Sequence, residues 1–152
     1  KQLGDQTTQL QNIGQARYWG FEFDLREKFN GYQIDANYSY LNAANTADEK
    51  ESEYLEYRPE HRFNVFSKKR LYKNLDFQIQ LSWVGNQYYQ DINDATWGEL
   101  KNYWLLGGKI SYHYKNMNFY IRGTNLMDIN YFSEFGVPEA GREIFAGVRF
   151  LK

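Results

Sequence analysis

The stretch Leu75–Trp83, LDFQIQLSW, alternates without a break: Leu75, Phe77, Ile79, Leu81 and Trp83 share one face of an extended chain, and Asp76, Gln78, Gln80 and Ser82 share the other. In a soluble sheet the apolar face looks into a core. In a membrane barrel it looks outward at hydrocarbon and the polar face lines the lumen. These nine residues permit both orientations, so the choice rests on what surrounds them.

The same period of two recurs along the chain. In YWGFEFDLREKF, Trp19, Phe21, Phe23 and Leu25 oppose Gly20, Glu22, Asp24 and Arg26; in YQIDANYSYL, Tyr32, Ile34, Ala36, Tyr38 and Tyr40 oppose Gln33, Asp35, Asn37 and Ser39. HRFNVFSKKRL alternates more weakly, with Phe66 out of phase, and YWLLGGKISYHY, MNFYIRGTNL and EIFAGVRFL complete a set of seven segments. Helical periodicity is never sustained, and the two prolines, Pro59 and Pro138, fall outside these runs. The chain is predicted to be all-β.

The connections decide between orientations. Three are short (KFNG, YKN and KN) and three are long, over about residues 43–60, 87–100 and 127–140, and the two kinds alternate. In an up-and-down sheet this gathers the tight turns at one end and the long loops at the other, the layout of outer-membrane barrels. Greek-key sandwiches do not sort their loops this way. Several segments exceed the usual five or six residues of globular strands and approach the roughly 9–11 of a tilted membrane strand. The predicted fold is therefore an antiparallel up-and-down transmembrane β-barrel segment. Barrels close at about eight strands or more, so seven strands are expected to be part of a larger barrel. The alternative is a soluble β-sandwich or barrel binding module with Leu75, Phe77, Ile79 and Leu81 in its core.

Composition agrees. The 152 residues include 14 Tyr, 11 Phe and 4 Trp, yet mean hydropathy is −0.78, a combination suited to long alternating strands. A formal net charge of −1 gives no electrostatic reason to expect nucleic acid. The lack of cysteine removes disulfides, thiolate nucleophiles and Cys-ligated metals. Acidic residues gather in the first long connection (Asp48, Glu49, Glu51, Glu53, Glu56, Glu60) and basic ones at the short-turn end (Lys28, Lys68, Lys69, Arg70, Lys73, Lys115). They read as solvated loops and edge-protecting charges.

NIGQARYWGFEFDL carries Asn12, Gly14, Ala16, Gly20 and Glu22; YRPEHRFNV carries Arg58, Pro59, His61 and Asn64; and the stretch from GTNLMDINYF to VRF carries Asn125, Leu126, Asp128, Tyr131, Pro138, Arg142, Gly147 and Phe150. In order and spacing these elements resemble the C-terminal barrel strands of TonB-dependent outer-membrane receptors. The resemblance implies that residues 1–152 are the C-terminal part of a barrel of about 22 strands, with the plug domain absent from this chain. It implies a transporter of the bacterial outer membrane, not an enzyme, energised by the TonB complex through the plug. Its cargo would be a scarce large extracellular molecule: a ferric siderophore first, with cobalamin, heme or a saccharide next.

The candidate residues follow from both readings. Trp19, Phe21, Phe23, Leu75, Phe77, Ile79, Leu81, Trp83, Ile144, Val148 and Phe150 are expected to face outer-membrane lipid. Tyr54, Tyr57, Tyr88, Tyr89, Trp97, Tyr131 and Phe132 lie in or beside the long loops and are candidates for ligand contact or for the interfacial aromatic girdle. Glu22 and Asp35 are expected to pair with basic lumen or plug groups such as Arg122 and Arg149, not to act as acid and base. No catalytic constellation, phosphate loop or zinc motif occurs, and His61 and His113 are too far apart in sequence to imply a shared metal. Asp91, Asn93, Asp94 and Glu99 have oxygen-ligand character but not the spacing of a calcium loop. No cofactor or metal is therefore expected, apart from iron in a chelated cargo.

Overall fold

The computed structural model describes residues 14–48 and 52–150, together with the backbone of two short paired strands, Gln2–Leu3 and Thr7–Thr8. Asn12, Glu49 and Glu51 lie outside the described residues. Seven long strands form one sheet: β1 Ala16–Phe29, β2 Tyr32–Asn45, β3 His61–Tyr72, β4 Leu75–Gly85, β5 Tyr103–Tyr114, β6 Met117–Thr124 and β7 Glu143–Phe150. Each pairs antiparallel with its sequence neighbours, so the sheet is a pure meander with β1 and β7 at its edges.

The short turns are built from local backbone preference. Asn30 (φ 48°) and Gly31 (φ 81°) both take the left-handed region that a tight two-residue hairpin requires, and Asn and Gly are the residues that reach it most cheaply. The other two hairpins turn at Lys73–Asn74 and Lys115–Asn116, with Lys115 at φ 51°. The three long loops collect at the opposite end and carry structure of their own. A small hairpin pairs Gln87–Gln90 with Trp97–Leu100, another pairs Phe132–Glu134 with Val137–Pro138, and Tyr54 bridges back to Ala44.

Register makes each face continuous across the strands. On one face Phe23 lies beside Tyr38, Tyr38 beside Phe63, Phe63 beside Trp83 and Trp83 beside Trp104. Nearer the middle, Phe77 adjoins Ile110, Ile110 adjoins Ile121 and Ile121 adjoins Ala146. All eleven residues expected to face lipid share this apolar surface. The other face carries Glu22, Asn37, Asn64, Gln80, Lys109, Arg122 and Arg149.

The sheet is a single layer. Leu55 and Leu100, the buried hydrophobic residues among those described, both sit in the loop region, while Phe23 is 59% exposed and Ile144 68% exposed. Among the described residues nothing covers the apolar face, and Leu75, Phe77, Ile79 and Leu81 enter no core, so the packing the sandwich alternative requires is not seen.

Candidate functional site

At the loop end of the polar face, strand ends and folded-back loops enclose a cavity of about 370 Å³. Arg62 of β3, Val84 of β4 and Tyr103 of β5 form its wall, while Tyr57, Gln87 and Glu134 come from the loops. Gln87 is buried and ties two loops together by donating from Nε2 to the Ser133 carbonyl at 2.7 Å. Among the described residues Arg62 has no carboxylate within ion-pair distance, so the cavity holds a guanidinium with its charge unspent.

Beside the cavity the loop aromatics form clusters. Tyr54 stacks on Tyr88 at 4.1 Å and lies 5.8 Å from Trp97, and Tyr89 stacks on Phe135 at 4.0 Å. Tyr131 packs on Tyr103 at 4.5 Å. The structure thus brings Tyr54, Tyr88 and Trp97 together, sets Tyr89 and Tyr131 against other rings, and places Tyr57 on the cavity wall. Among the described residues no ring stacks on Phe132. Among the described residues the buried indole N–H of Trp97 has no acceptor, which leaves a free donor inside an aromatic cluster. Burial raises the Tyr57, Tyr88 and Tyr131 hydroxyls above the ordinary tyrosine pKa of 10.0, for Tyr57 against the opposing pull of a backbone hydrogen bond from Phe135.

Sequence reasoning missed Arg62, Gln87, Tyr103 and Glu134. Their only signal was alternation or loop position, and neither shows which loop folds over which strand.

The pairing expected with Arg122 or Arg149 is not made within the sheet, although Asp35 does meet a base on the polar face. Asp35 pairs instead with Arg26 at 3.6 Å and accepts from Gln33 at 2.9 Å. Glu22 lies opposite Ser39, with three strands between the β1–β2 hairpin and Arg122 on β6. Register places these acids and bases on opposite flanks of the sheet, out of contact range. A different ion network forms near the short turns, where the buried Asp76 meets Arg70 at 3.0 Å, His113 at 3.1 Å and Lys68 at 3.5 Å. His61 is on the apolar face, with Nδ1 2.8 Å from the Tyr38 hydroxyl. Asp91 and Asp94 spend their carboxylates on local turns, Asp91 accepting from Asn93 and Asp94 from Thr96, which holds Asp94 below the usual carboxylate range.

The motif residues are mainly architectural. Asn125 is buried, donates from Nδ2 to the carbonyls of Ile129 and Ala140 at 2.9 and 3.2 Å, and accepts from the Ile129 amide at 3.0 Å. Asp128 accepts from the Arg142 backbone N–H at 2.9 Å. Leu126 folds back onto Gly123, where there is no room for a Cβ. Pro59 is buried and Arg58 exposed in the first long loop, Gly14 is exposed, and Asn64 lies opposite Asn37 on the polar face.

A family model described as TonB dependent receptor-like, beta-barrel, matches residues 2–126. No curated protein matches the chain by sequence. Among solved structures, the ferric-catecholate import receptor Fiu of E. coli K12 in its closed form superposes with a TM-score of 0.76 at 20% identity, over 88% of this chain and 20% of that one. FpvA of P. aeruginosa, solved with a heterologous pyoverdine and iron, gives a TM-score of 0.76 at 17% identity, over 89% and 19%. The FpvAI–pyocin S2 complex gives 0.74 at 16% identity, over 89% and 19%. These identities speak to the fold, and the chain spans about a fifth of the length of those structures. With the family model covering most of its residues, the chain belongs to the TonB-dependent receptor β-barrel family.

Proposed function

We propose that this chain is the C-terminal wall of an outer-membrane receptor that imports a bulky extracellular ligand, with TonB coupled through a plug domain encoded elsewhere in the polypeptide. The observation that carries the membrane reading is the apolar face with its two aromatic borders. At the loop end, Trp19, Tyr40, His61, Trp83 and Trp104 run ring to ring at 5.1–5.9 Å. At the turn end lie Phe29, Tyr32, Tyr112, Tyr114 and Phe150, exposed to similar or greater degree. Trp19 and Phe29 are ten residues apart on β1, or about 33 Å along a strand and about 25 Å vertically at a tilt of about 40°. That equals the height of the apolar band of an outer-membrane barrel, about 25 Å between girdles. In this reading the polar face, with Arg62 at its loop end, is the lumen wall, and the loops with the Trp97 donor are extracellular.

The cargo we favour is a ferric siderophore, because an aromatic vestibule with an unpaired guanidinium suits an anionic chelate that presents flat aryl rings at its periphery. The similar structures include a ferric-catecholate import receptor and FpvA with a bound pyoverdine–iron complex, which supports the same choice. Cobalamin, heme or a saccharide would use the same architecture.

Two measurements on the full-length receptor test the reading. In vesicles containing brominated lipid, Trp19 and Trp83 fluorescence should be strongly quenched and Trp97 fluorescence spared; Trp19 and Trp83 shielded from lipid would refute the membrane orientation. Ferric catecholate or pyoverdine titrated into the receptor should quench Trp97, with affinity falling about tenfold or more in Arg62→Gln. Saturable binding of cobalamin, heme or an oligosaccharide in place of either chelate would reassign the cargo.

A further inference from the structure

On the polar face one line of cross-strand partners crosses six strands. Lys28 of β1 adjoins Gln33 of β2, then come Lys68 of β3, Gln78 of β4, Lys109 of β5 and Arg122 of β6. Neighbouring strands are about 4.8 Å apart, so this is a continuous row of four cations and two amides running across the strands. Among the described residues only Lys68 has a carboxylate partner, Asp76.

Lys109 and Arg122 are direct cross-strand neighbours, an arrangement in which like charges repel. Each is steadied by an aromatic face that leaves its charge intact: Lys109 Nζ lies 4.6 Å from the Tyr120 ring centroid and Arg122 Cζ lies 5.3 Å from that of Phe145. They border a cleft of about 320 Å³, which Gln78, Gln80 and Thr124 line with polar groups and Gly107 keeps open. Two held but unneutralised cations, with amide donors beside them and open space in front, are complementary to an oxyanion.

We infer that Lys109, Arg122 and Gln78 form a binding site for a carboxylate or similar oxyanion, separate from the cavity at the loop end. Occupation removes the repulsion between the paired cations and provides an acceptor for the guanidinium and amide N–H groups. The oxyanion can arrive by two routes, on an acidic side chain from another segment of the full-length polypeptide or on a free solute in the lumen. Both routes rest on the polar face being the lumen wall, which the lipid-quenching measurement tests separately.

The test is amine-specific labelling of the full-length receptor in detergent, followed by mass spectrometry, with the exposed loop residue Lys101 as internal reference. A bound oxyanion covers Lys109 and engages its amine in an ion pair, and so slows its reaction. If another segment supplies the group, Lys109 labels about tenfold more slowly than Lys101 at low salt, and high salt or Arg122→Gln abolishes the difference. If a free solute supplies it, Lys109 labels readily and added citrate slows it about tenfold in the parent but not in Arg122→Gln. In either case Arg122→Lys, which keeps the charge, retains most of the protection. A Lys109 rate indifferent to citrate, salt and Arg122→Gln overturns the inference, whether that rate is fast or slow.

Discussion

A Cβ on Gly20 would collide with the carbonyl oxygen of Tyr40, backbone that the β1–β2 ladder holds in place. At Gly147 the obstacle is the tip of the Tyr120 side chain, 2.6 Å away at Oη, which can rotate. Gly20→Ala is therefore expected to destabilise the full-length receptor by about 1–3 kcal/mol, and Gly147→Ala by less than about 1 kcal/mol, as measured by urea unfolding in lipid. The half-buried tyrosines of the loops make a second prediction at this scale. Their raised pKa values mean that the folded state retains phenolic protons which the unfolded chain would release. Their contribution to stability is thus complete below pH 10, the ordinary tyrosine value, and is lost as pH rises through the folded values. Ultraviolet titration should show a late-ionising tyrosine population, diminished in Tyr88→Phe; simple titration of every tyrosine near pH 10 would contradict the loop packing.

Among the elements, loop 125–142 shows how a long connection can be ordered with little apolar burial. Asn125 closes its base through three hydrogen bonds, and Asp128 holds the returning strand by accepting from the Arg142 amide. The Asp128–Arg142 ion pair itself is about half exposed on both sides and should add little. Asn125→Ala strands two carbonyls and one N–H, at an expected cost of about 1–3 kcal/mol. Limited proteolysis should then cut within residues 126–141 faster than in the parent, with the strand ladder intact. Asp128→Asn retains an acceptor for the Arg142 amide and is expected to protect the loop nearly as well as the native residue.

For the whole molecule, the unlike faces of the sheet are the central property. The proposed orientation predicts that Ile79→Arg, in the middle of the apolar band of β4, costs about 2–4 kcal/mol in lipid vesicles. Ser82→Arg, on the opposite face of the same strand, should cost no more than about 1 kcal/mol. Tryptophan-monitored urea titration checks both, and equal costs would remove the basis for assigning lipid to one face and lumen to the other.

The sequence by itself determined the seven strands, their meander, the sorting of short turns from long loops, and the shared face of the eleven residues expected to look toward lipid. These features depend on period, turn chemistry and loop length, all of which are local. Alternation in Leu75–Trp83 therefore said which residues travel together, and the single-layer sheet then showed that no core receives them. Only the tertiary structure decided how the long loops fold back, which put Arg62, Gln87 and Tyr103 around one cavity and Trp97 beside Tyr54. It alone also separated Glu22 and Asp35 from Arg122 and aligned Lys28, Lys68, Lys109 and Arg122 in one row. The physical reason is register: the tight turns fix the offset within each short hairpin, but across the three long loops the offset is set by strand pairing and loop packing, which no local pattern in the chain encodes.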